Sequence, residues 1–293
     1  MGRLINKVAL VYGAGPNFGG TIAHFMAREG AKVAVLDIKA ENAAATRDFL
    51  VSRGYESLAI TGDASDDSDI RRSVDATVEH FGRLDVAVNI AGMLRIRPLD
   101  ELTVPEWNET IRETLTPGML ITKYVLEAMT KLGTRGSLIH LLSSHAHWGQ
   151  PNRPAYSAVK AGLLNMARAA AMEVAHLGIR VNTITPIGME HNLWKIGLSN
   201  APRTRYSFDY NDVLKTIPLG RLPRTTDIAW TVVFLASEES SFITGADIPV
   251  DGGVRAKYPM WRPGEFTGAN VESYLETVQV TEYGEPVRDF LRK

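Results

Sequence analysis

Residues 7–37 read KVALVYGAGPNFGGTIAHFMAREGAKVAVLD and carry the pattern on which the fold depends. A short apolar run ends at a glycine-rich turn, and a pattern with apolar residues at three- and four-residue spacing follows it. That spacing is typical of an amphipathic helix. A second apolar run then ends at Asp37. We therefore predict a strand, a tight turn, a helix and a second strand.

The same alternation continues through most of the chain. Strands are predicted at residues 7–12, 32–36, 58–61, 84–89, 137–142, 180–184 and 247–250, and helices at residues 19–29, 40–53, 66–81, 105–132, 154–177 and 225–236. The strands are too continuously apolar to have one face in water, which favours a parallel sheet with helices on both sides. We predict a doubly wound α/β fold in a single domain.

The helical and strand periodicity fails between residues 188 and 216, where aromatic residues are scattered among polar ones. A long irregular segment inside such a domain is usually a functional loop. We therefore predict one domain over residues 1–253 that includes this substrate loop. Residues 254–293 are predicted to form an aromatic-rich C-terminal extension.

Composition excludes several classes of function. The chain has 293 residues, of which 45% are hydrophobic, and its 32 basic and 33 acidic residues give a formal net charge of -1. No large cationic field is present to attract nucleic acid or a membrane surface. The absence of cysteine excludes disulfides, thiol nucleophiles and cysteine-ligated metals. Because no run approaches ~18 apolar residues and no signal peptide is evident, we expect a soluble cytoplasmic protein.

The glycine-rich turn, residues 13–19, lies between the first predicted strand and helix. Backbone N–H groups and the helix dipole at this position can hold a pyrophosphate. Asp37, at the end of the next strand, can bind both ribose hydroxyls and would repel a 2′-phosphate. We therefore expect a dinucleotide, with NAD preferred over NADP. Lys39, two residues beyond the acid, is the feature that favours NADP, and a tight turn without a ligand is the alternative.

Tyr156 and Lys160 stand at helical spacing, so the ammonium can lie beside the phenol. A cation at that position favours the phenolate and lowers the pKa of the tyrosine, which would make it an acid-base catalyst at neutral pH. A serine hydroxyl from Ser143 or Ser144 could then hold the substrate oxygen. Alone, this spacing also suits an interfacial tyrosine and a solvated lysine.

Several motifs occur in one order along the chain. They are Asp63-Ala64, Asn89-Ile90-Ala91-Gly92, the Ser-Tyr-Lys set, Pro218-Leu219-Gly220-Arg221, Asp227-Ile228-Ala229, Phe234-Leu235-Ala236-Ser237, Ile243-Thr244-Gly245 and Val250-Asp251-Gly252-Gly253. Over residues 7–253 this order resembles the short-chain dehydrogenase/reductase family. The resemblance implies a Rossmann-type fold, a nicotinamide cofactor, alcohol-carbonyl chemistry and a homo-oligomer, either a dimer or a tetramer.

The resemblance also implies functional residues. The catalytic residues are expected to be Ser144, Tyr156 and Lys160. Cofactor contacts are expected from Gly13, Gly15, Asn17, Phe18, Gly19, Asp37, Asp63, Ala64, Asn89, Ala91, Gly92, Tyr156, Lys160, Pro186, Ile187 and Met189. The family's usual spacing of thirteen residues to the tyrosine points to Ser143, whereas the paired-serine context points to Ser144, and we predict Ser144.

Five positions depart from the family pattern, two of which are Ile187, in place of a glycine, and His191, in place of a threonine. Tyr12 replaces a threonine, and Asn17 stands at the middle glycine of the turn, although asparagine tolerates a positive φ. Thr114 stands where many members carry a catalytic asparagine that holds a bend in its helix. We expect Pro117 to supply that bend instead, because proline removes a helical hydrogen bond.

Substrate contacts are predicted for His145, His147, His191 and Trp194. No metal is expected, because His145 and His147 have no third ligand in the sequence pattern. The aromatic residues of the loop and extension suggest an apolar secondary alcohol, cyclic or aryl. Two alternatives remain: a dinucleotide-binding or sensor protein without catalysis, and a related epimerase or dehydratase.

Overall fold

The computed structural model describes residues 2–188 and 214–257. The strands are β1 (Val8–Tyr12), β2 (Lys32–Asp37), β3 (Ser57–Thr61), β4 (Val86–Asn89), β5 (Ser137–Leu141), β6 (Arg180–Pro186) and β7 (Asp247–Val250). The helices are α1 (Phe18–Arg28), α2 (Ala40–Val51), α3 (Asp67–Phe81), α4 (Val104–Thr110), α5 (Thr116–Leu132), α6 (Pro154–Val174) and α7 (Thr225–Ala236). Most of the predicted substrate loop and of the C-terminal extension lies outside the described residues.

The seven strands form one sheet in the order β3-β2-β1-β4-β5-β6-β7. Every neighbouring pair is parallel. The strand order reverses between β1 and β4, so the loops that leave the carboxyl ends of these two strands run to opposite sides of the sheet. A crevice forms outside the carboxyl ends of the strands at such a switch point, and ligands bind in it. The doubly wound parallel sheet predicted from the sequence is confirmed.

Helices cover both faces of the sheet, which explains the continuously apolar strands. Ala9 and Val11 of β1 face a core that includes α1 and α7. Leu10 and Tyr12 face the opposite core, which includes α3, α5 and α6. Side chains of a strand alternate between its two faces, so a strand covered on both sides needs apolar residues at every position.

The single helix predicted for residues 105–132 is wrong in its middle. A π-helical segment, Ile111–Leu115, separates α4 from α5, and the Thr116 N–H there bonds to the Ile111 carbonyl. Pro117 follows at the first turn of α5. A wider turn, which is common in helices at functional sites, therefore lies just before the proline to which the sequence assigns a bend.

Within the part of the chain that the structure describes, no helix is long and apolar enough to cross a membrane.

Candidate active site

The glycine-rich turn after β1 and the turn after β4 lie side by side at the switch point. Gly13 has a φ of 77°, and a Cβ atom there would lie 3.2 Å from the Ala91 nitrogen. A Cβ on Gly19 would lie 2.1 Å from the Gly13 carbonyl oxygen, so the start of α1 rests directly on the turn. This close packing aims the N-terminus of α1 at the crevice, where its dipole and free N–H groups favour an anion.

Asn17 adopts the positive φ that the sequence leads us to expect. Its φ is 83° and its ψ is -114°, and its carbonyl accepts the Thr21 N–H at the start of α1. This conformation suits glycine better than asparagine, whose usual positive-φ region has a positive ψ. The turn is therefore preserved, at a cost in backbone strain.

We expect the Asn17→Gly variant to have a free energy of unfolding about 1 kcal/mol higher than that of the native chain, because glycine relieves this strain. Chemical denaturation followed by circular dichroism measures the difference. Asn17→Ala is the matched control and should be destabilised, since alanine tolerates the same angles less well than asparagine. A less stable glycine variant would contradict the strain argument.

Asp37 is buried at the end of β2, and one of its two carboxylate oxygens accepts hydrogen bonds from neighbouring residues. Its Oδ1 atom accepts the Lys39 N–H at 3.0 Å and the Asn42 amide at 3.1 Å. A Cβ on Gly15 would lie 3.0 Å from Oδ2, so that oxygen borders the glycine turn. Asn42 was not predicted from the sequence, although its position five residues after the acid, on the next helix, is compatible with such a contact.

Asn89, at the end of β4, belongs to a buried hydrogen-bonded chain. Its Oδ1 accepts the Ala91 N–H at 3.1 Å, and its Nδ2 lies 3.1 Å from Nδ1 of His140. Thr122 donates to the Gly118 carbonyl and so accepts from Nε2 of His140 at 3.1 Å. Burial and the charge of Lys160 lower the pKa of His140 to about 3. The histidine is therefore neutral and holds the Asn89 amide in one orientation.

Tyr156 and Lys160 lie one turn apart near the start of α6, as the spacing predicts. The Lys160 ammonium donates to the Leu141 carbonyl at 2.9 Å and lies 5.7 Å from the centre of the Tyr156 ring. Lys160 is almost fully buried, and burial lowers its pKa to about 8. The two side chains are thus brought together at the carboxyl end of β5.

The predicted lowering of the tyrosine pKa is wrong for the protein described here. Burial raises the pKa of Tyr156 to about 12, against opposing effects from a hydrogen bond with Ser143 and from the charge of Arg153. Loss of hydration disfavours the phenolate more than these partners favour it. Sequence spacing identifies neighbours, but it does not show how far a site excludes water.

The serine hydroxyl that meets Tyr156 belongs to Ser143, whereas the paired-serine context predicts Ser144. Ser143 is extended, with a φ of -162° and a ψ of 157°, and continues the alternation of β5. Ser144 begins a 3-10 turn, and its carbonyl accepts the N–H groups of His147 and Trp148. The spacing of thirteen residues was therefore the better guide to this contact.

His145 lies against the tyrosine, and its ring centre is 5.4 Å from that of Tyr156. Its Nδ1 is 2.8 Å from the Ser143 hydroxyl, and its Nε2 is 2.6 Å from Oε1 of Gln150. Arg153 donates to the same Gln150 oxygen at 2.6 Å. Gln150 and Arg153 were not predicted, and no sequence motif marks them.

His147, predicted beside His145, points elsewhere. Its Nε2 is 2.9 Å from Oδ2 of Asp247 at the start of β7, and Arg255 binds the same oxygen. The structure therefore separates the two histidines that the sequence places together.

The other predicted residues lie around the crevice or beyond the described chain. Asp63 accepts from the Ser65 N–H and hydroxyl, and Ala64 and Phe18 pack partly buried against the two cores. Pro186 ends β6, and Ile187 packs on a small apolar cluster. Met189, His191 and Trp194 lie outside the described residues.

Thr114 is fully buried inside the π-helical segment. Its hydroxyl accepts the Met93 N–H at 3.2 Å and donates to the Met93 carbonyl at 3.3 Å. One hydroxyl thus fixes both backbone groups of Met93, just after the turn that follows β4.

We expect the Thr114→Asn variant to have a kcat comparable to that of the native chain, because the π-helical segment and the backbone contact exist without an asparagine. A large gain in kcat would show that Thr114 does not replace the function of the asparagine. Thr114→Val, which keeps the shape but removes the hydroxyl, should lower the free energy of unfolding by about 1–3 kcal/mol, since the Met93 groups lose their partner. Denaturant titration measures this loss.

A cavity of about 600 Å³ lies next to the turn that holds Ser143 and His145. Leu99, Gln150, Asn152 and three prolines, Pro98, Pro151 and Pro154, are among its lining residues. Within residues 2–188 and 214–257, no group of three or more histidine, aspartate or glutamate side chains could hold a metal. The crevice suits a dinucleotide. The glycine turn and the N-terminus of α1 can bind a pyrophosphate, and Oδ2 of Asp37, which borders the turn, can accept hydrogen bonds from a ribose.

Comparisons with known proteins agree with this geometry. A family model described as enoyl-(acyl carrier protein) reductase matches residues 13–255. D-threitol dehydrogenase of Mycolicibacterium smegmatis is 34% identical over 260 residues, which cover 87% of this chain and 95% of that protein. Cis-4-hydroxycyclohexanecarboxylate dehydrogenase of Sinomonas cyclohexanicum is 35% identical over 251 residues, covering 85% and 97%.

Solved structures are similar over the same length. A short-chain type dehydrogenase/reductase from Mycobacterium marinum aligns with a TM-score of 0.77 and 26% identity, covering 87% of this chain and 97% of that one. NAD+-bound xylitol dehydrogenase aligns with a TM-score of 0.78 and 26% identity, covering 86% and 100%. The match extends over the described sheet and both of its helical layers.

Proposed function

This chain belongs to the short-chain dehydrogenase/reductase family, and from that premise we propose that it is an NAD-dependent oxidoreductase that interconverts a secondary alcohol and a ketone. The observation that carries the proposal is the meeting of Ser143, Tyr156 and Lys160 beside the crevice. The serine can bind the substrate oxygen, the tyrosine can exchange a proton with it, and the lysine holds a positive charge nearby.

In the oxidation direction, Tyr156 as phenolate accepts the proton of the substrate hydroxyl, and Ser143 positions the same oxygen. The charge of Arg153 opposes the effect of burial on the phenolate. Lys160, whose ammonium lies 5.7 Å from the ring centre, places a second positive charge nearby. A bound nicotinamide would supply the acceptor for the hydride that leaves the carbinol carbon. We propose Ser143 for the role that the sequence analysis gives to Ser144.

The cofactor preference is proposed from Asp37. Its Oδ2 borders the glycine turn while Oδ1 is held by Lys39 and Asn42, so the carboxylate is fixed where a ribose would lie. A fixed carboxylate accepts hydrogen bonds from two hydroxyls but repels a phosphate. NAD is therefore favoured over NADP.

We expect Asp37→Ser to change the ratio of kcat/KM for NAD to that for NADP by about 100-fold toward NADP. Removing a like-charge contact worth several kcal/mol accounts for this size. Initial rates with both cofactors give the ratio. Glu41→Gln is the matched control, because it removes an exposed carboxylate from the first turn of α2 and should leave the ratio unchanged. An unaltered ratio in Asp37→Ser would argue against the assignment.

For the substrate we propose an apolar secondary alcohol, cyclic or aryl. Three prolines and Leu99 line most of the cavity beside the turn that holds Ser143 and His145, which favours a largely apolar molecule, while Asp100, Gln150 and Asn152 can bind its polar groups. The name of the Sinomonas cyclohexanicum relative, a cis-4-hydroxycyclohexanecarboxylate dehydrogenase, supports a ring-bearing alcohol.

We also propose that the chain forms a homo-oligomer through α6. The exposed positions of this helix carry small and apolar side chains, namely Ala158, Ala161, Gly162, Ala169 and Met172, interspersed with the polar Asn165, Arg168 and Glu173. Small residues let two helices approach closely, and burying the apolar ones would stabilise the contact.

The test is the appearance of NADH with a panel of aliphatic, cyclic and aryl secondary alcohols, run with NAD and with NADP. Turnover with NAD that disappears in Tyr156→Phe would support the dehydrogenase. Tight NAD binding by calorimetry, without turnover of any alcohol or ketone, would instead favour a protein that binds the dinucleotide as a sensor.

A further inference from the structure

A line of three hydrogen bonds runs from Arg153 to the candidate catalytic serine. Arg153 Nη1 is 2.6 Å from Gln150 Oε1, which is 2.6 Å from His145 Nε2. His145 Nδ1 is 2.8 Å from the Ser143 hydroxyl oxygen. The amide of Gln150 can be turned by 180° and the proton of His145 can lie on either ring nitrogen. Which atom donates in each bond is therefore inferred from the other hydrogen bonds that the same groups make.

Arg153 fixes the first direction. A guanidinium only donates hydrogen bonds, so the Gln150 atom that faces it is the carbonyl oxygen and not the amide nitrogen. A carbonyl oxygen only accepts, so His145 must present a proton on Nε2. Arg153 Nη1 is also 3.1 Å from Nε2, which fits two N–H groups aimed at the two lone pairs of one oxygen.

The ring nitrogen on the other side of His145 is then an acceptor. Burial, followed by the charge of Arg153, lowers the pKa of His145 to about 4, so the ring is neutral at physiological pH. With the single proton on Nε2, the lone pair of Nδ1 faces the Ser143 hydroxyl. Ser143 therefore donates to His145, and its oxygen, which also accepts the His145 N–H at 3.5 Å, offers Tyr156 only a lone pair. The lowering of the Tyr156 pKa by a Ser143 hydrogen bond thus requires the hydroxyl to turn from Nδ1 to the phenolate.

We propose that His145 is a positioning residue that holds the Ser143 proton away from Tyr156 and thereby keeps the tyrosine protonated. This inference rests on the proposed function, because it concerns the proton that Tyr156 exchanges with substrate. A phenolate is stabilised by a hydroxyl that donates to it. To do so, Ser143 must give up its bond to Nδ1, so His145 opposes the conversion of Tyr156 into a base.

The charged groups whose fields reach this cluster are Arg153, just before α6, and Lys160 of α6. Both remain in place in the variants that test the proposal. His147, on the same turn, is paired with Asp247 of β7.

The first test compares pH profiles of kcat/KM for alcohol oxidation. In His145→Leu, which removes the acceptor, we expect the acidic limb to move to lower pH by about one unit, the size expected for one hydrogen bond to a charged oxygen. His145→Asn, whose side-chain oxygen can replace Nδ1, should keep the native profile. In a Ser143→Ala background, His145→Leu should produce no further shift, because the residue acts through that serine.

A native profile in His145→Leu, or an equal shift with and without Ser143, would overturn the proposal. The second test needs no turnover: nitrogen NMR of the native chain labelled at histidine, assigned by comparison with His145→Asn, reports which ring nitrogen carries the proton. A proton on Nε2 is expected, and a proton on Nδ1 would refute the inference. Failure of the proposed function is distinct, since it would appear as no turnover or as an active Tyr156→Phe.

Discussion

Replacing Tyr156 by phenylalanine is expected to lower kcat about 10³-fold, the effect of losing a general acid-base group. The ring remains to pack against His145, while the hydroxyl that meets Ser143 is lost. NAD affinity and thermal stability should therefore change little. Initial rates and calorimetric titration with NAD measure the two quantities separately.

Tyr124→Phe is the matched control. Its hydroxyl donates to Asp67 of α3 at 2.7 Å and accepts from Arg71 and Lys123, none of which belongs to the Ser143-Tyr156-Lys160 group, so kcat should stay native. A Tyr156→Phe variant that keeps more than about a tenth of the native kcat would reject the catalytic assignment. The native enzyme adds an internal check, since burial raises the pKa of Tyr156 to about 12. Below that pH, alcohol oxidation should become faster as the pH rises, because the phenolate becomes more abundant.

Replacing Gly19 by alanine is expected to lower the free energy of unfolding by about 3 kcal/mol or more and to abolish detectable NAD binding. The new Cβ would lie 2.1 Å from the Gly13 carbonyl oxygen and 2.6 Å from Cα of Ala14. Both are backbone atoms, so no side-chain rotation relieves the clash. The turn and the start of α1 must separate, and the N–H groups aimed at the crevice move with them.

Thermal unfolding should show this as a fall in Tm of roughly 6–12 °C. Gly149→Ala is the matched control: a Cβ there would meet no heavy atom within 4 Å, and the residue has no positive φ that alanine would strain. The control should be as stable as the native chain or more so. A Gly19→Ala variant with a native Tm and native NAD affinity would contradict the close packing of the turn.

Local patterns along the chain were sufficient to predict most of the fold. Apolar runs of strand length alternate with helical spacing, and this alternation led directly to the parallel sheet now observed. The proximity of Tyr156 and Lys160 could also be predicted, because residues four apart on a helix share one face. The positive φ of Asn17 followed from the place of the turn and the tolerance of asparagine.

Features that depend on burial or on distant contacts were decided only by the tertiary structure. The choice between Ser143 and Ser144 required the path of the chain after β5, and the π-helical segment before Pro117 required the packing of its helix. The direction of the Tyr156 pKa shift depends on the exclusion of water by surrounding elements. Short-range spacing determines which residues can be neighbours, whereas the fold determines how far they are exposed to water, which groups they bond and whether their titratable groups are protonated.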